Sequence, residues 1–165
     1  MILRLSLDLP EDGEFVRITR VLGRTLLEHL QVEEGDISDL ELLVGELCTN
    51  VIRHADTVHE RFRVILEYHA DKVELIVEDT GRGFSFKDVP EAGTERPDTL
   101  GGGERFGGYG MSLVRALADR LEFHRTDPQG TTVRAEVALH YQSPEAAQKA
   151  EKMERGDAQI ELETE

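Results

Sequence analysis

The chain has 165 residues, a formal net charge of -15, 39% apolar residues and one cysteine. That length favours one domain able to bury a core without covalent staples, and the lone Cys48 excludes an internal disulfide. The acidic balance excludes a nucleic-acid backbone or an anionic membrane surface as partner, since both call for a basic face. The N-terminal residues do not read as a signal peptide and no apolar run approaches a membrane span, so a cytoplasmic protein is expected.

Residues 2–9 alternate. Ile2, Leu3, Leu5, Leu7 and Leu9 are apolar, with Arg4, Ser6 and Asp8 between, which predicts a half-buried strand. Pro10 stands where a first helical turn would begin, and Glu11, Asp12 and Glu14 suit a helix N-terminus. Phe15, Ile18, Leu22, Leu26 and Leu30 recur at helical spacing and predict a helix over 11–31, broken by Gly35 and Asp36. A second helix is expected from about Ser38 to His54, with Leu40, Leu43, Val44, Leu47 and Val51 as its apolar stripe. At about 100° per residue, Glu46 and Asn50 fall one turn apart along an edge of that stripe. His54 continues the row and Arg53 lies behind Glu46, so these polar groups border the core rather than open water. Cys48, mid-helix and without a nearby base in sequence, reads as packing.

Two strands follow as a hairpin. Phe62, Val64, Leu66 and Tyr68 alternate with charged residues, and so do Val73, Leu75 and Val77. Asp79 shares the parity of Val73, Leu75 and Val77, which aims a carboxylate at the buried face of a strand end. That position is costly unless something pairs with it. Residues 84–107 read as a long loop with Pro90, Pro97 and Gly101-Gly102-Gly103. Gly110 opens a helix from Met111 to about Asp119. A strand from Leu121 to Thr126, a turn at 127–130 and a strand from Thr131 to Leu139 complete the pattern. From Ser143 the chain is polar and poor in large apolar residues, which predicts a weak solvated helix or a disordered end over 143–165.

Three stretches carry chemistry. Asp79-Thr80-Gly81-Arg82-Gly83 offers a carboxylate for the exocyclic amine of adenine, with glycines that let backbone approach the base; alone it is also an ordinary turn with a capping aspartate. Gly101 to Met111 is glycine-rich and opens onto a helix, so its N–H groups could point at phosphate. It is neither a Walker loop nor a dinucleotide fingerprint, and in isolation it is equally a linker. On the predicted second helix, the Asn50 amide oxygen suits Mg²⁺, and Glu46 could accept a proton from an attacking hydroxyl. Arg53 or His54 could meet phosphate oxygens.

Taken together and in this order, these stretches resemble the GHKL ATPase superfamily, which includes gyrase, MutL and the histidine kinases. Within it the chain is most similar to the anti-sigma-factor serine kinases of the RsbW and SpoIIAB type. The resemblance covers about residues 2–139 and is most specific over Asp39 to Ala55. It implies an α+β fold, a two-layer α/β sandwich with a mixed, mostly antiparallel sheet covered on one face by helices, and a mobile ATP lid. It implies a histidine-kinase-like ATPase domain over 1–142, ATP and Mg²⁺ as cofactors, Asn50 as metal ligand and Glu46 as catalytic base. Asp79 would read adenine, with Gly81 and Gly83 shaping the pocket, and Thr131 rather than Thr132 supporting Asp79. Gly108, Gly110 and Met111 would cradle phosphates. The lid departs from the family's Arg-x-Gly-x-Gly: Arg105 precedes Phe106-Gly107-Gly108-Tyr109-Gly110, one residue longer.

The function so implied is a protein serine/threonine kinase. It binds a sigma factor or similar regulator, phosphorylates a small anti-sigma antagonist, and forms a homodimer. Two alternatives stay open from sequence: an ATP-gated binding module without phosphotransfer, and the catalytic domain of a split histidine kinase.

Overall fold

The computed structural model describes residues 1–54, 61–79, 110–125 and 130–156. Its elements are β1 (Leu3–Pro10), α1 (Gly13–His29), α2 (Glu34–His54), β2 (Arg61–Tyr68), β3 (Lys72–Asp79), α3 (Gly110–Leu117), β4 (Arg120–Arg125), β5 (Thr131–Ala138) and α4 (Pro144–Arg155).

The five strands form one sheet in the order β1-β2-β3-β5-β4. All four ladders are antiparallel, so the described sheet has no parallel pair where a mixed one is expected. Alternation decides its faces. Phe62, Val64, Leu66 and Tyr68 of β2, Val73, Leu75 and Val77 of β3, and Val133, Ala135 and Val137 of β5 enter one core with α1, α2 and α3. The opposite face is laced with ion pairs: Asp8–Arg63–Glu78, and Lys72 and Arg134 on Glu74. Glu74 is almost fully buried there; its bond from Lys72 first, then the charges of Lys72, Arg134 and His69, hold its carboxyl below the usual carboxylate range.

The helix starts differ from the sequence expectation for local reasons. Pro10 ends β1 opposite Arg61 and takes no part in α1. Asp12 is the N-cap instead, its side chain accepting from the Glu14 N–H at 2.9 Å. The break between α1 and α2 falls at 30–33, not at Gly35 and Asp36, which lie within the first turn of α2. Gln31 makes that break with φ of 58°, a left-handed conformation that costs a non-glycine residue roughly 1–2 kcal/mol. The segment after β5 holds it in place: Gln142 N–H donates to the Gln31 carbonyl, Gln142 Nε2 donates to Val32, and Val32 bridges Tyr141.

The polar segment after 143 is a helix with both ends capped. Ser143 accepts from the Ala146 N–H, Pro144 fills the first turn, and Gly156 closes the end at φ of 81°. Ala146, Ala150 and Met153 are buried. Composition missed this docking because its anchor is polar: Glu154 accepts from the Ala70 N–H, His69 Nδ1 and the amino group of Met1.

Candidate functional site

Two runs of chain bring the predicted residues to one end of the molecule. At the N-terminal end of α2, Asp36 accepts from the His140 N–H, just beyond the end of β5. From Asp36 to Asn50 the helix rises about 21 Å. Going back along β5 from Ala138 to Thr131 spans about 24 Å. Glu46, Asn50 and Arg53 are therefore carried to the end of the sheet where β3 finishes and β5 begins. α2 packs over β3 and β5 along the way.

That sheet end holds Asp79. Its neighbours across the two ladders are Phe62 on β2 and Thr131 on β5, both buried at 1% and 2% exposure. Asp79 itself is half-buried, on the parity of the core residues of β3. The parity argument therefore places it correctly, and Thr131 rather than Thr132 stands opposite it. A carboxylate bordered by a buried aromatic ring and a buried threonine has an apolar wall and a polar handle, which suits a flat heterocycle with an exocyclic amine.

The helix side of the site is made by α2 and α3. Glu46 and Asn50 are half-buried and Arg53 is exposed. Asn50 Nδ2 donates to the Met111 sulfur at 3.0 Å, which ties the amide-bearing helix to the first turn of α3. Val114, one turn on, is fully buried and seats that turn on the core. With its nitrogen turned to sulfur, Asn50 presents its other amide atom, a hard oxygen, as an acceptor. Among the described residues no cluster of three or more His, Cys, Asp or Glu side chains could hold a metal. A single amide oxygen with an acid one turn away fits an ion that keeps most of its waters and takes further oxygens from a nucleotide, the habit of Mg²⁺.

Gly110 opens α3 as expected. His54 ends α2. Gly81, Gly83, Arg105 and Gly108, and the 84–107 loop, lie outside the described residues. Cys48 is fully buried, and burial pushes its thiol up to about 12, so it is not a nucleophile. Two partners escaped sequence reasoning. Phe62 beside Asp79 was legible in the hairpin register; the Met111 contact with Asn50 was not, because it joins residues 61 apart in sequence.

Comparison with known proteins gives the family and the fold. A family model described as the histidine kinase-like ATPase domain matches residues 9–137. The serine-protein kinase RsbW of Bacillus licheniformis is 30% identical over 128 residues, covering 75% of this chain and 78% of that protein. RsbW of Halalkalibacterium halodurans is 28% identical over 123 residues, covering 72% of this chain and 74% of that protein. A crystal structure of the RsbU and RsbW domains of a Mycobacterium tuberculosis protein superposes with a TM-score of 0.58 at 18% identity. It covers 83% of this chain, which spans 32% of that longer one. At that identity the likeness supports the fold alone.

Proposed function

Because the chain belongs to the histidine kinase-like ATPase domain family, among the RsbW serine-protein kinases, we propose that the site described above binds ATP and transfers its γ-phosphate to a serine or threonine of a small antagonist protein. The chain is a protein serine kinase of the anti-sigma type. Its regulated partner is a sigma factor or similar regulator, and the two partners compete for it.

The observation that carries the reading is the Asp79–Thr131 pairing at the sheet end toward which α2 carries Glu46 and Asn50. Asp79 accepts a hydrogen bond from the adenine amine, and Thr131 steadies that carboxylate from the neighbouring strand. Asn50 offers its amide oxygen to Mg²⁺, which, when bound, neutralises phosphate charge. Glu46, one turn before Asn50, takes the proton of the acceptor hydroxyl as it attacks the γ-phosphorus, while the bond from that phosphorus to the β,γ-bridging oxygen breaks and ADP leaves. The N-terminal turn of α3, seated on Asn50 through Met111, presents backbone N–H groups to phosphate oxygens, as do Gly108 and Gly110.

The test incubates the full chain with γ-labelled ATP, Mg²⁺ and candidate antagonist proteins. Label on a serine or threonine of an antagonist, lost in the Glu46→Gln variant, is the expected result. ATP binding with no transfer to any of them, and transfer undiminished in Glu46→Gln, both contradict the assignment.

A further inference from the structure

α3 runs antiparallel to α2. Its first turn meets Asn50 through the Met111 sulfur. Beyond its far end, Asp119 accepts from the Ala138 N–H, and Asp36, in the first turn of α2, accepts from the His140 N–H two residues on. The end of α3 therefore stands beside the start of α2. From the Asn50–Met111 contact, one turn back along α2 reaches Glu46 and one turn forward along α3 reaches Arg115, each a rise of about 6 Å. These two positions face each other across the groove between the helices. A further turn back along α2 reaches Leu42, which is 41% exposed. At about 100° per residue, Arg115 is turned away from the buried Val114, and Leu42 lies on the far side of α2 from the buried Leu40 and Val44. Both stand on the outer lip of the groove.

Arg115 is half-buried, yet it makes no ion pair or hydrogen bond among the described residues. Two other half-buried arginines are paired: Arg24 binds Glu28, Glu34 and Glu41, and Arg134 binds Glu74. In a chain with 34 acids against 19 lysines and arginines, a guanidinium held part-way out of water without a carboxylate is left for an acid from outside. Glu46 does not take that place. It too is half-buried and unpaired among the described residues. Its freedom suits a base, since an ion pair with Arg115 would favour the charged form and tie up the oxygen that must accept a proton. Leu42 is the exposed large apolar side chain, among the described residues, that belongs to neither α1 nor β1 and its lead-in. An apolar contact, a free cation and a base thus follow one another along a groove that leads to Asn50.

We propose that this groove reads the phosphoacceptor protein: an acidic side chain near its accepting serine or threonine pairs with Arg115, an apolar side chain covers Leu42, and together they set the hydroxyl at Glu46. The occupant follows from charge. A net charge of -15 repels an acidic acceptor over most of the surface, so its acid settles where the unpaired guanidinium stands, and an acceptor out of register meets carboxylates instead. Arg115 is then a specificity-determining residue that positions the acceptor and touches neither nucleotide nor metal. The proposal deepens the kinase reading and rests on it.

The experiment uses the full chain and the antagonist protein that takes label from γ-labelled ATP. Arg115→Glu is expected to raise KM for that protein at least about tenfold, with kcat within about threefold of wild type and ATP affinity by calorimetry unchanged. Leu42→Asp is expected to raise KM in the same way. On the acceptor, each Asp or Glu near the labelled residue is replaced in turn by Lys. One such replacement should raise KM with the wild-type chain and restore transfer by Arg115→Glu, a reversal that a merely structural role would not give. The acceptor variants are tested on the unaltered chain as well, so they decide the matter even if Arg115→Glu fails to fold. An unchanged KM in Arg115→Glu overturns the proposal, as does a set of acceptor replacements none of which raises KM with wild type. A fall in ATP affinity in Arg115→Glu also overturns it, since Arg115 would then be a phosphate contact. A wild-type chain that binds ATP and labels no antagonist fails at the kinase reading and takes this proposal with it. Labelling that Arg115→Glu leaves intact removes this proposal alone.

Discussion

Asp79 stands opposite Thr131 across the β3–β5 ladder, the carboxylate half-buried and the threonine almost wholly so. A hydrogen bond from a ligand amine to such a carboxylate contributes about 1.5–3 kcal/mol. Asp79→Asn is therefore expected to weaken ATP binding by about 10- to 100-fold and to shrink the preference for ATP over GTP. Thr131→Val keeps the shape and loses the hydroxyl, so it should weaken binding less. Calorimetric titration of both variants with both nucleotides checks this.

Glu46 sits one turn before Asn50 with its side chain half-buried. Glu46→Gln preserves size and removes the basic oxygen. Phosphotransfer should fall by about 10²–10⁴, with ATP affinity essentially unchanged. Single-turnover transfer to the antagonist measures the first and equilibrium nucleotide binding the second.

Asn50 has two tasks, an oxygen toward metal and a nitrogen toward the Met111 sulfur. Asn50→Ala should bring ATP affinity in Mg²⁺ buffer down to the value found with chelator. Met111→Leu conserves volume and should cost less than about 1.5 kcal/mol of stability while keeping the Mg²⁺ dependence. Titrations with and without chelator, beside denaturant unfolding of both variants, separate the two tasks.

Glu154 fastens α4 to the rest of the chain. The Met1 ammonium first, then the Ala70 N–H and His69, hold its carboxyl at about 2 against an ordinary 4.5. The folded value lies below the unfolded one, so the stabilisation is complete above 4.5 and is lost as pH falls through about 2. Amide protection in 144–155, taken relative to the intrinsic exchange rate at each pH, should therefore fall across that window, and exchange should be faster at neutral pH in Glu154→Gln or in a chain whose N-terminus is acetylated. Exchange in these variants no faster at pH 7 than in wild type would contradict the role.

Gly23 sits mid-helix where a Cβ would meet Leu40, Leu66 and Tyr68 at 3.5, 3.7 and 3.8 Å. Those are ordinary contact distances. Gly23→Ala should fit and stabilise by roughly 0.5–1 kcal/mol through reduced backbone freedom. Gly23→Leu should destabilise, since its branches must displace the same neighbours. Thermal unfolding of the pair reads out the sign of each.

Strand parity carried far in this chain. It placed Phe62, Val64 and Leu66 in the core and brought Asp79 to the same face at a strand end, because a period of two is unambiguous when one sheet face is buried. The helix starts were less legible. Pro10 suits both a strand end and a first helical turn, and only its pairing with Arg61 decides. Gly35 and Asp36 look like a break but serve as the first turn of α2, while the turn itself rests on Gln31, whose left-handed backbone is stabilised by residues more than 100 positions later. α4 was hidden for a similar reason: Glu154 finds its partners at Met1, His69 and Ala70, and no local pattern announces them. In the site, the acid and amide were visible as a helical spacing. The Asn50–Met111 contact depends on tertiary packing.

The strand order carries a consequence for synthesis. β5 is the last strand in the chain yet lies between β3 and β4. A nascent chain that has released only the first half of its sequence holds α1, α2 and the β2–β3 hairpin, but Asp79 still lacks the strand that brings Thr131 beside it. Nucleotide binding is thus withheld until nearly the whole domain has left the ribosome, and a chain stopped before Thr131 is expected to bind no ATP.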